Sequence, residues 1–245
     1  MKDKVTLIVP SHNEEKNIMR CLDSIKHQIY DNWECLVICN GCTDRTYEIA
    51  TMFSDIDSRF IVYDFEWGCV SRARNFGIEN ANGEWIMFID ADDYVLPEHV
   101  SNIVKIAKET GEQLVRGKMN IVMPENMVVW GVSKIGKINV NDNILLSNRK
   151  EDIGHCPPFL YNRKLLEDIR FNENIKRCED TLFNIEVTLK NGGLYNTNST
   201  TYVYCLYNTS LSRTPLDRER ITNHYEKLEQ KYGENKTFKN FIKSL

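Results

Sequence analysis

Apolar and polar residues alternate in blocks through the first 110 residues, and the block lengths predict a regular succession of strands and helices. Four short runs of large apolar residues have the composition of strands that are buried on both faces. The longer blocks between them carry apolar residues at helical spacing. The predicted strands span residues 5–9, 33–38, 60–63 and 85–89, and the predicted helices span residues 14–28, 43–53, 70–80 and 97–109. This alternation predicts an α/β fold with right-handed β-α-β units and a mostly parallel, Rossmann-like sheet flanked by helices.

The pattern changes to shorter elements after residue 110. It predicts sheet-edge strands at 113–123 and 128–132, helices at 160–168 and 180–190, and a strand at 200–206. The polar, charged residues 217–245 predict a peripheral helical tail. Because no repeat, low-complexity tract or long linker interrupts the chain, we expect a single domain over 1–245. Its parts are a first half (1–96), a second half (97–213) and the tail (214–245).

Charge and hydropathy limit the partners and the cellular location that we expect for this chain. The formal net charge is −4 and the pI is about 5.8, so nucleic acid is not an expected partner, although a local basic groove stays open. No apolar stretch approaches the ~18 residues that a membrane span needs. The first residues lack a signal-peptide pattern, and the eight cysteines are scattered. These features predict a reducing, cytoplasmic location, either free or at the inner membrane surface.

Three carboxylates, Asp90, Asp92 and Asp93, directly follow the fourth predicted strand. Open α/β sheets bind their ligands at the carboxyl ends of the strands. Two carboxylates about 5 Å apart repel each other by roughly 1–3 kcal/mol at effective dielectric constants of about 80 down to 20. The cluster therefore favours a nearby cation, and a hard divalent ion on oxygen ligands is the natural candidate. The alternative is a solvated turn before the next helix.

Polar residues also follow the other predicted strands, at the same edge of the sheet. His12 and Glu14 follow the first strand, Asn40 follows the second, and Arg74 lies in the helix after the third. These groups suit a base, a sugar and a charged diphosphate. The chain has no G-x-x-x-x-G-K-[S/T] motif and no G-x-G-x-x-G after the first strand, which argues against kinases and dinucleotide oxidoreductases. The pattern favours a nucleotide diphosphate held by a metal ion.

Cys39 and Cys42 form a C-x-x-C motif, which is typical of redox pairs and of half zinc sites. No second C-x-x-C and no paired-histidine motif completes four zinc ligands, so ordinary buried or loop cysteines are the favoured interpretation. A redox or zinc protein stays open as a minor alternative.

Five segments occur in an order that resembles family 2 glycosyltransferases with the GT-A fold, over roughly residues 5–213. They are V-P-S-H-N-E-E, N-G-C-T-D, G-C-V-S-R-A-R-N-F-G, G-E-W-I-M-F-I-D-A-D-D and R-C-E-D-T-L-F-N. The resemblance implies a nucleotide-sugar donor bound by the first half, an acceptor bound by the second, a divalent cation (Mn²⁺ or Mg²⁺) and an inverting transfer. A catalytically silent nucleotide-sugar-binding domain is the main alternative.

The resemblance also assigns roles to single residues. Asp92 matches the metal ligand of the D-x-D motif, and Asp90 matches a residue that meets the metal or the ribose. Asp180 matches the general base that takes the acceptor proton, and Glu179 matches a supporting acceptor contact. On the residues alone this pair would be interpreted as acidic residues at a helix start. The other matches to the nucleotide-sugar site are Pro10, His12, Glu14, Asn40, Arg74 and Ala91.

Two departures from the family pattern leave the substrates open. Asn40 stands where the family usually has an aspartate that contacts uracil, so the donor base is open. Residues 156–163 replace the usual W-G-K-L-Y-R-like segment, so the acceptor is open, and His155 beside them is interpreted as a loop histidine. Similar proteins usually act on bacterial surface glycans or lipid-linked oligosaccharides. The length of the chain favours transfer of a single sugar.

Overall fold

The computed structural model describes residues 3–122, 126–130, 134–140, 157–206, 215–236 and 238–239. Its first half alternates strands and helices as the sequence predicts. The elements are β1 (Val5–Ser11), α1 (Ile18–Lys26), β2 (Trp33–Asn40), α2 (Thr46–Ile56), β3 (Phe60–Phe65), α3 (Val70–Asn80), β4 (Trp85–Phe88), β5 (Tyr94–Val95) and α4 (His99–Thr110). The short strand β5 was not predicted, and α1 begins four residues later than the pattern suggested.

The second half departs further from the sequence predictions. Its elements are β6 (Leu114–Arg116), β7 (Met119–Val122), β8 (Met127–Trp130), β9 (Gly136–Asn139), β10 (Phe159–Asn162), α5 (Glu179–Asn191), β11 (Gly193–Asn196), β12 (Tyr202–Cys205) and α6 (Arg218–Tyr232). The helix predicted at 160–168 is wrong, because those residues form β10 and then a short 3₁₀ turn, Arg163–Leu166. The single edge strand predicted at 113–123 is also wrong: β6 and β7 belong to different sheets, and β6 lies inside its sheet.

Two sheets contain all of these strands. The larger has eight strands in the order β3-β2-β1-β4-β10-β6-β11-β9, and the smaller has the order β5-β12-β7-β8. The first four strands of the larger sheet are parallel to one another, whereas β10 runs antiparallel to β4 and to β6. The predicted parallel sheet is therefore confirmed for the first half, and the second half extends it as a mixed sheet.

Helices cover both faces of the larger sheet, so its central strands are buried on both sides. All seven residues of β1 are buried. Successive side chains of a strand point to opposite faces: Ile8 packs in one apolar cluster with residues of α3, α5 and α6, while Leu7 packs in the other with residues of α1, α2 and α4. The flanked α/β architecture is confirmed.

The helical tail contributes to the same core. In α6 the apolar residues Ile221, Tyr225 and Leu228 are buried and join the cluster that contains Ile8. Among the described residues, no helix is long and apolar enough to cross a membrane. The single-domain interpretation and its division into halves and tail stay predictions.

Candidate functional site

The parallel strands β1, β2 and β4 end at one edge of the larger sheet. In their registers Ser11 lies beside Cys39, and Ile8 lies beside Phe88. The segments that follow these strands therefore meet at this edge, as the sequence predicted. They carry His12 and Glu14, Asn40, and the acidic turn at residues 90–93.

Hydrogen bonds from several elements fix the acidic turn. The amide N–H of Asp93 donates to the carbonyl of Asp90 (3.0 Å), and the Arg20 guanidinium donates to the carbonyl of Asp92 (2.6 Å). The Asp93 side chain is wholly buried and accepts hydrogen bonds from the Tyr202 hydroxyl (2.6 Å) and the Cys205 N–H (2.8 Å). Asp93 thus faces into the protein, while Asp90 and Asp92 keep partial exposure at the edge.

The carboxyl group of Asp92 has a raised pKa. Burial, followed by the neighbouring carboxylates of Asp90 and Glu14, raises the pKa of Asp92 to about 7. A divalent cation would stabilise the charged forms of these carboxylates, and their oxygen atoms are the ligands that Mg²⁺ and Mn²⁺ prefer. The described residues contain no group of three or more His, Cys, Asp or Glu side chains that could hold a metal ion by themselves. Two carboxylates alone leave most of the coordination positions of a divalent cation open.

Arg74 joins the two acidic sites. It is 5% exposed, and its guanidinium donates to Asp90 Oδ1 (3.0 Å) and to Glu179 Oε1 (3.0 Å). One turn further along α3, a Cβ on Gly77 would lie 2.5 Å from Ile8 Cγ2, so only glycine lets the helix pack this closely on β1. This close packing brings the Arg74 side chain to the edge of the sheet that carries Asp90.

Glu179 and Asp180 form the first turn of α5. Burial raises the pKa of both carboxyls above their usual range, while the Arg74 guanidinium lowers both. The residue before them, Cys178, has φ 66°, a left-handed conformation that is uncommon without glycine. Among the described residues the other non-glycine residue with positive φ is Asn13, in the loop after β1. Strained backbone of this kind clusters at functional sites.

The predicted nucleoside residues lie together on the side of β1 and β2. The His12 ring bonds the Asn40 carbonyl through Nδ1 (2.7 Å), and the Asn17 amide donates to Glu14 Oε2 (2.8 Å). Pro10 is buried within β1, and Ala91 is buried in the apolar cluster beneath the acidic turn. The His12 side chain is exposed and that of Glu14 is half-buried, whereas Pro10 and Ala91 are buried.

The Asn40 side chain makes buried hydrogen bonds that the sequence did not predict. Its side chain is 3% exposed, its Nδ2 donates to the carbonyl of Ser11 (2.8 Å), and its Oδ1 accepts from the N–H of Cys69 (3.1 Å). These bonds fix the orientation of the amide and tie the end of β1 to the start of α3. Contact between Asn40 and a donor base stays a prediction.

The C-x-x-C motif begins in β2 and ends just after it. A hydrogen bond from Cys39 lowers the pKa of the Cys42 thiol to about 6, and the Cys42 Sγ also approaches the carbonyl of Ser11 (3.4 Å). Both cysteines are free thiols in the structure.

The structure thus brings Arg74, Asp90, Asp92, Glu179 and Asp180 to one edge. His155 lies outside the described residues. Sequence reasoning missed Arg20 and Tyr202, which hold the acidic turn. The only signal for Tyr202 was its position in an apolar strand, where a buried hydroxyl needs a partner.

Comparison with known proteins agrees with this architecture. A family model described as Glycosyl transferase family 2 matches residues 6–170. The chain is 32% identical over 182 residues to Glycosyltransferase GlyA of Streptococcus pneumoniae serotype 4, which covers 69% of this chain and 26% of GlyA. S. aureus TarS in complex with UDP-GlcNAc superposes with a TM-score of 0.81 at 22% identity, over 93% of this chain and 66% of that one. The mannosyltransferase PcManGT from Pyrobaculum calidifontis, in complex with GDP-Man and Mn²⁺, superposes with a TM-score of 0.67 at 18% identity, over 99% and 68%.

The two structural likenesses confirm the predicted GT-A fold. This chain spans about a quarter of the length of GlyA. The family model covers more than half of the chain, from β1 past β10, and includes the first four of the five motifs. The chain belongs to glycosyl transferase family 2.

Proposed function

We propose that this chain is an inverting, metal-dependent glycosyltransferase that moves one sugar from a nucleoside-diphosphate sugar to an acceptor hydroxyl. The observation that carries the proposal is the placement of Arg74 between Asp90 and Glu179, with 3.0 Å hydrogen bonds to both. The Arg74 side chain thus bridges Asp90, which would hold the donor, and Glu179, which would contact the acceptor. A direct transfer requires donor and acceptor to be this close.

Asp92 and Asp90 would hold the divalent cation, Mn²⁺ or Mg²⁺, together with the donor diphosphate. When bound, the cation supplies charge stabilisation to the leaving diphosphate. The raised pKa of Asp92 supports this role, since a site with too much negative charge for its burial gains from a cation. Pro10, His12, Glu14, Asn40 and Ala91 would form the nucleoside side of the pocket.

Asp180 would act as the general base. A base works best when its pKa lies near the operating pH, and burial shifts the Asp180 pKa upward in that direction. It would take the proton of the acceptor hydroxyl as that oxygen attacks the anomeric carbon from the face opposite the diphosphate, which inverts the configuration. Glu179, held by Arg74, would contact the acceptor.

We propose that the acceptor is a hydroxyl group of a glycan or of a lipid-linked sugar in surface-glycan assembly. This proposal rests on the sequence resemblance. A cytoplasmic location, free or at the membrane surface, likewise rests on the sequence alone. Within the pocket, the structural bonds of Asn40 leave the donor base open.

Thermal-shift measurements with uridine, guanosine, thymidine and cytidine diphosphates test the donor site. We expect one of them to raise the melting temperature in the presence of Mn²⁺ or Mg²⁺ and to have little effect with a chelator. No shift with any of the four would contradict donor binding.

Two other functions are alternatives to this proposal. A silent nucleotide-sugar-binding domain would bind the donor without turnover, and the intact Glu179 and Asp180 pair opposes it. A redox or zinc role for Cys39 and Cys42 is supported by the lowered pKa of the Cys42 thiol. Thiol titration and metal analysis of the purified protein would detect that role, and we expect two free thiols at the motif and no zinc.

A further inference from the structure

Tyr202 connects the acidic turn to the smaller sheet. It lies in β12, directly beside Val95 of β5, and its side chain is wholly buried. Its hydroxyl oxygen accepts a hydrogen bond from the N–H of Asp90 (3.2 Å), and the hydroxyl donates to Asp93 Oδ2 (2.6 Å). One phenol thus bonds the first and the last residue of the turn at 90–93.

The same strand binds the turn at a second point. The N–H of Cys205, three residues after Tyr202, donates to Asp93 Oδ1 (2.8 Å). From the opposite side, the α1 residues Arg20 and Cys21 donate to the carbonyls of Asp92 and Asp90. The backbone of the turn is therefore fixed from two sides, which determines where the Asp90 and Asp92 side chains emerge.

We propose that Tyr202, acting through Asp93, is a positioning residue that shapes the acidic turn for a divalent cation and the donor diphosphate. This inference rests on the proposed function, since Asp90 and Asp92 are its metal ligands. Groups that orient metal ligands typically change metal affinity by about 10- to 100-fold when they are removed. Neither the Tyr202 hydroxyl nor the Asp93 carboxylate reaches the open edge, so both act through the ligand residues.

The alternative is that Tyr202 only fills the core. Its ring packs edge-on against His99, with centroids 5.9 Å apart. Tyr202→Phe separates the two roles, because it keeps the ring and removes only the hydroxyl. Tyr161→Phe is the matched control: Tyr161 is also wholly buried, and its hydroxyl donates to Asn184 Oδ1 (2.6 Å), away from the turn.

The experiment measures Mn²⁺-dependent binding of uridine, guanosine, thymidine and cytidine diphosphates by calorimetry, and backbone amide exchange at residues 90–93 without ligand. We expect Tyr202→Phe to weaken the metal-dependent binding by about 10-fold or more and to speed exchange within the turn. We expect Tyr161→Phe to do neither. Where Tyr202→Phe does not fold, Asp93→Asn is measured instead, because it keeps the shape of the side chain and sets an amide NH₂ against one of its two donors.

The outcomes separate this inference from the proposed function. Equal nucleotide binding by the wild type and Tyr202→Phe overturns the positioning role and leaves the proposed function intact. A wild type that binds none of the four diphosphates with Mn²⁺ counts against the proposed function. In that case the exchange measurement still decides: unchanged exchange at 90–93 overturns the positioning role, and faster exchange confined to the turn supports it.

Discussion

The two acidic sites of this molecule are built in different ways. The turn at 90–93 follows a buried strand, and hydrogen bonds from α1 and β12 fix its backbone. The pair Glu179 and Asp180 begins a helix, after a residue with positive φ, and shares Arg74 with the turn. The first site suits a fixed ligand geometry for a cation. Burial raises a carboxyl pKa at both sites, but at the second the Arg74 guanidinium also lowers the pKa of Glu179 and of Asp180, a combination that suits proton transfer.

In the proposed function the two sites have separate tasks, and Arg74 contacts both. The guanidinium lowers the pKa of both Glu179 and Asp180 while it pairs with Asp90. Changes at either site should therefore affect different steps, whereas a change at Arg74 should affect both. The substitutions below test that division, from the largest expected effect to the smallest.

Replacing the base should have the largest effect. We expect Asp180→Asn to reduce turnover of the donor by about 10²–10⁴-fold, the usual contribution of a general base, and to leave donor binding nearly unchanged. The assay is release of nucleoside diphosphate from the donor sugar that the screen identifies. The matched control is Glu167→Gln, an exposed carboxylate in the loop before α5. Turnover within the range of that control would show that Asp180 is not the base.

Removing the Arg74 guanidinium, which both acidic sites share, should reduce stability. Arg74→Met leaves Asp90 and Glu179 without their guanidinium partner, and breaking a buried ion pair costs about 3 kcal/mol. The measurement is the free energy of unfolding in urea. The control is Arg45→Met, which breaks the exposed Arg45–Glu48 pair and should change stability little.

The Arg74 effect should depend on pH in a defined direction. Without the guanidinium the folded-state pKa values of Glu179 and Asp180 rise further, so the folded state binds protons more readily than the unfolded chain. The stability loss should therefore be full above the raised pKa values of the variant. It should fade as the pH falls through them towards the wild-type pKa values of about 7 for Glu179 and about 6 for Asp180, where the carboxyls become protonated in both proteins. The low-pH limb of turnover should move to higher pH. A loss that grows at acid pH would contradict the charge-pair account.

Changing Asn40 should have a smaller effect, on stability rather than on donor choice. Asn40→Asp replaces the donating NH₂ with a carboxylate oxygen that faces the Ser11 carbonyl. The carbonyl then keeps only the weak Cys42 thiol as a donor and faces a carboxylate oxygen, which costs about 1–3 kcal/mol, measurable by urea unfolding. A gain of uridine diphosphate binding without a loss of stability would show instead that Asn40 reads the base.

The first half of the fold was predictable because its signals are local. Each strand of the parallel sheet is a short apolar run, and the carboxyl end of β4 predicted where Asp90 and Asp92 would meet other polar groups. The second half was harder to predict. Strand β11 is four residues long and begins with glycine, and β10 looked helical because residues 160–168 mix apolar and charged side chains at helical spacing.

Hydrogen bonds between residues far apart in the chain could not be predicted from the sequence. Arg74 and Glu179 are 105 residues apart, and nothing in either segment specifies that they touch. The Tyr202 bond to Asp93 spans 109 residues and joins the acidic turn to the smaller sheet. Only the resemblance to a family, and not the acidic pattern itself, raised the E-D pair above an ordinary helix start.

Metal-dependent nucleotide binding by Asp92→Asn and Asp180→Asn, titrated side by side, tests the central claim most directly. The claim is that the turn at 90–93 holds the donor while Asp180 activates the acceptor. It predicts that Asp92→Asn loses Mn²⁺-dependent binding of the donor nucleotide by at least about 10-fold and that Asp180→Asn keeps it. Equal losses in the two variants, or wild-type binding in Asp92→Asn, would contradict it.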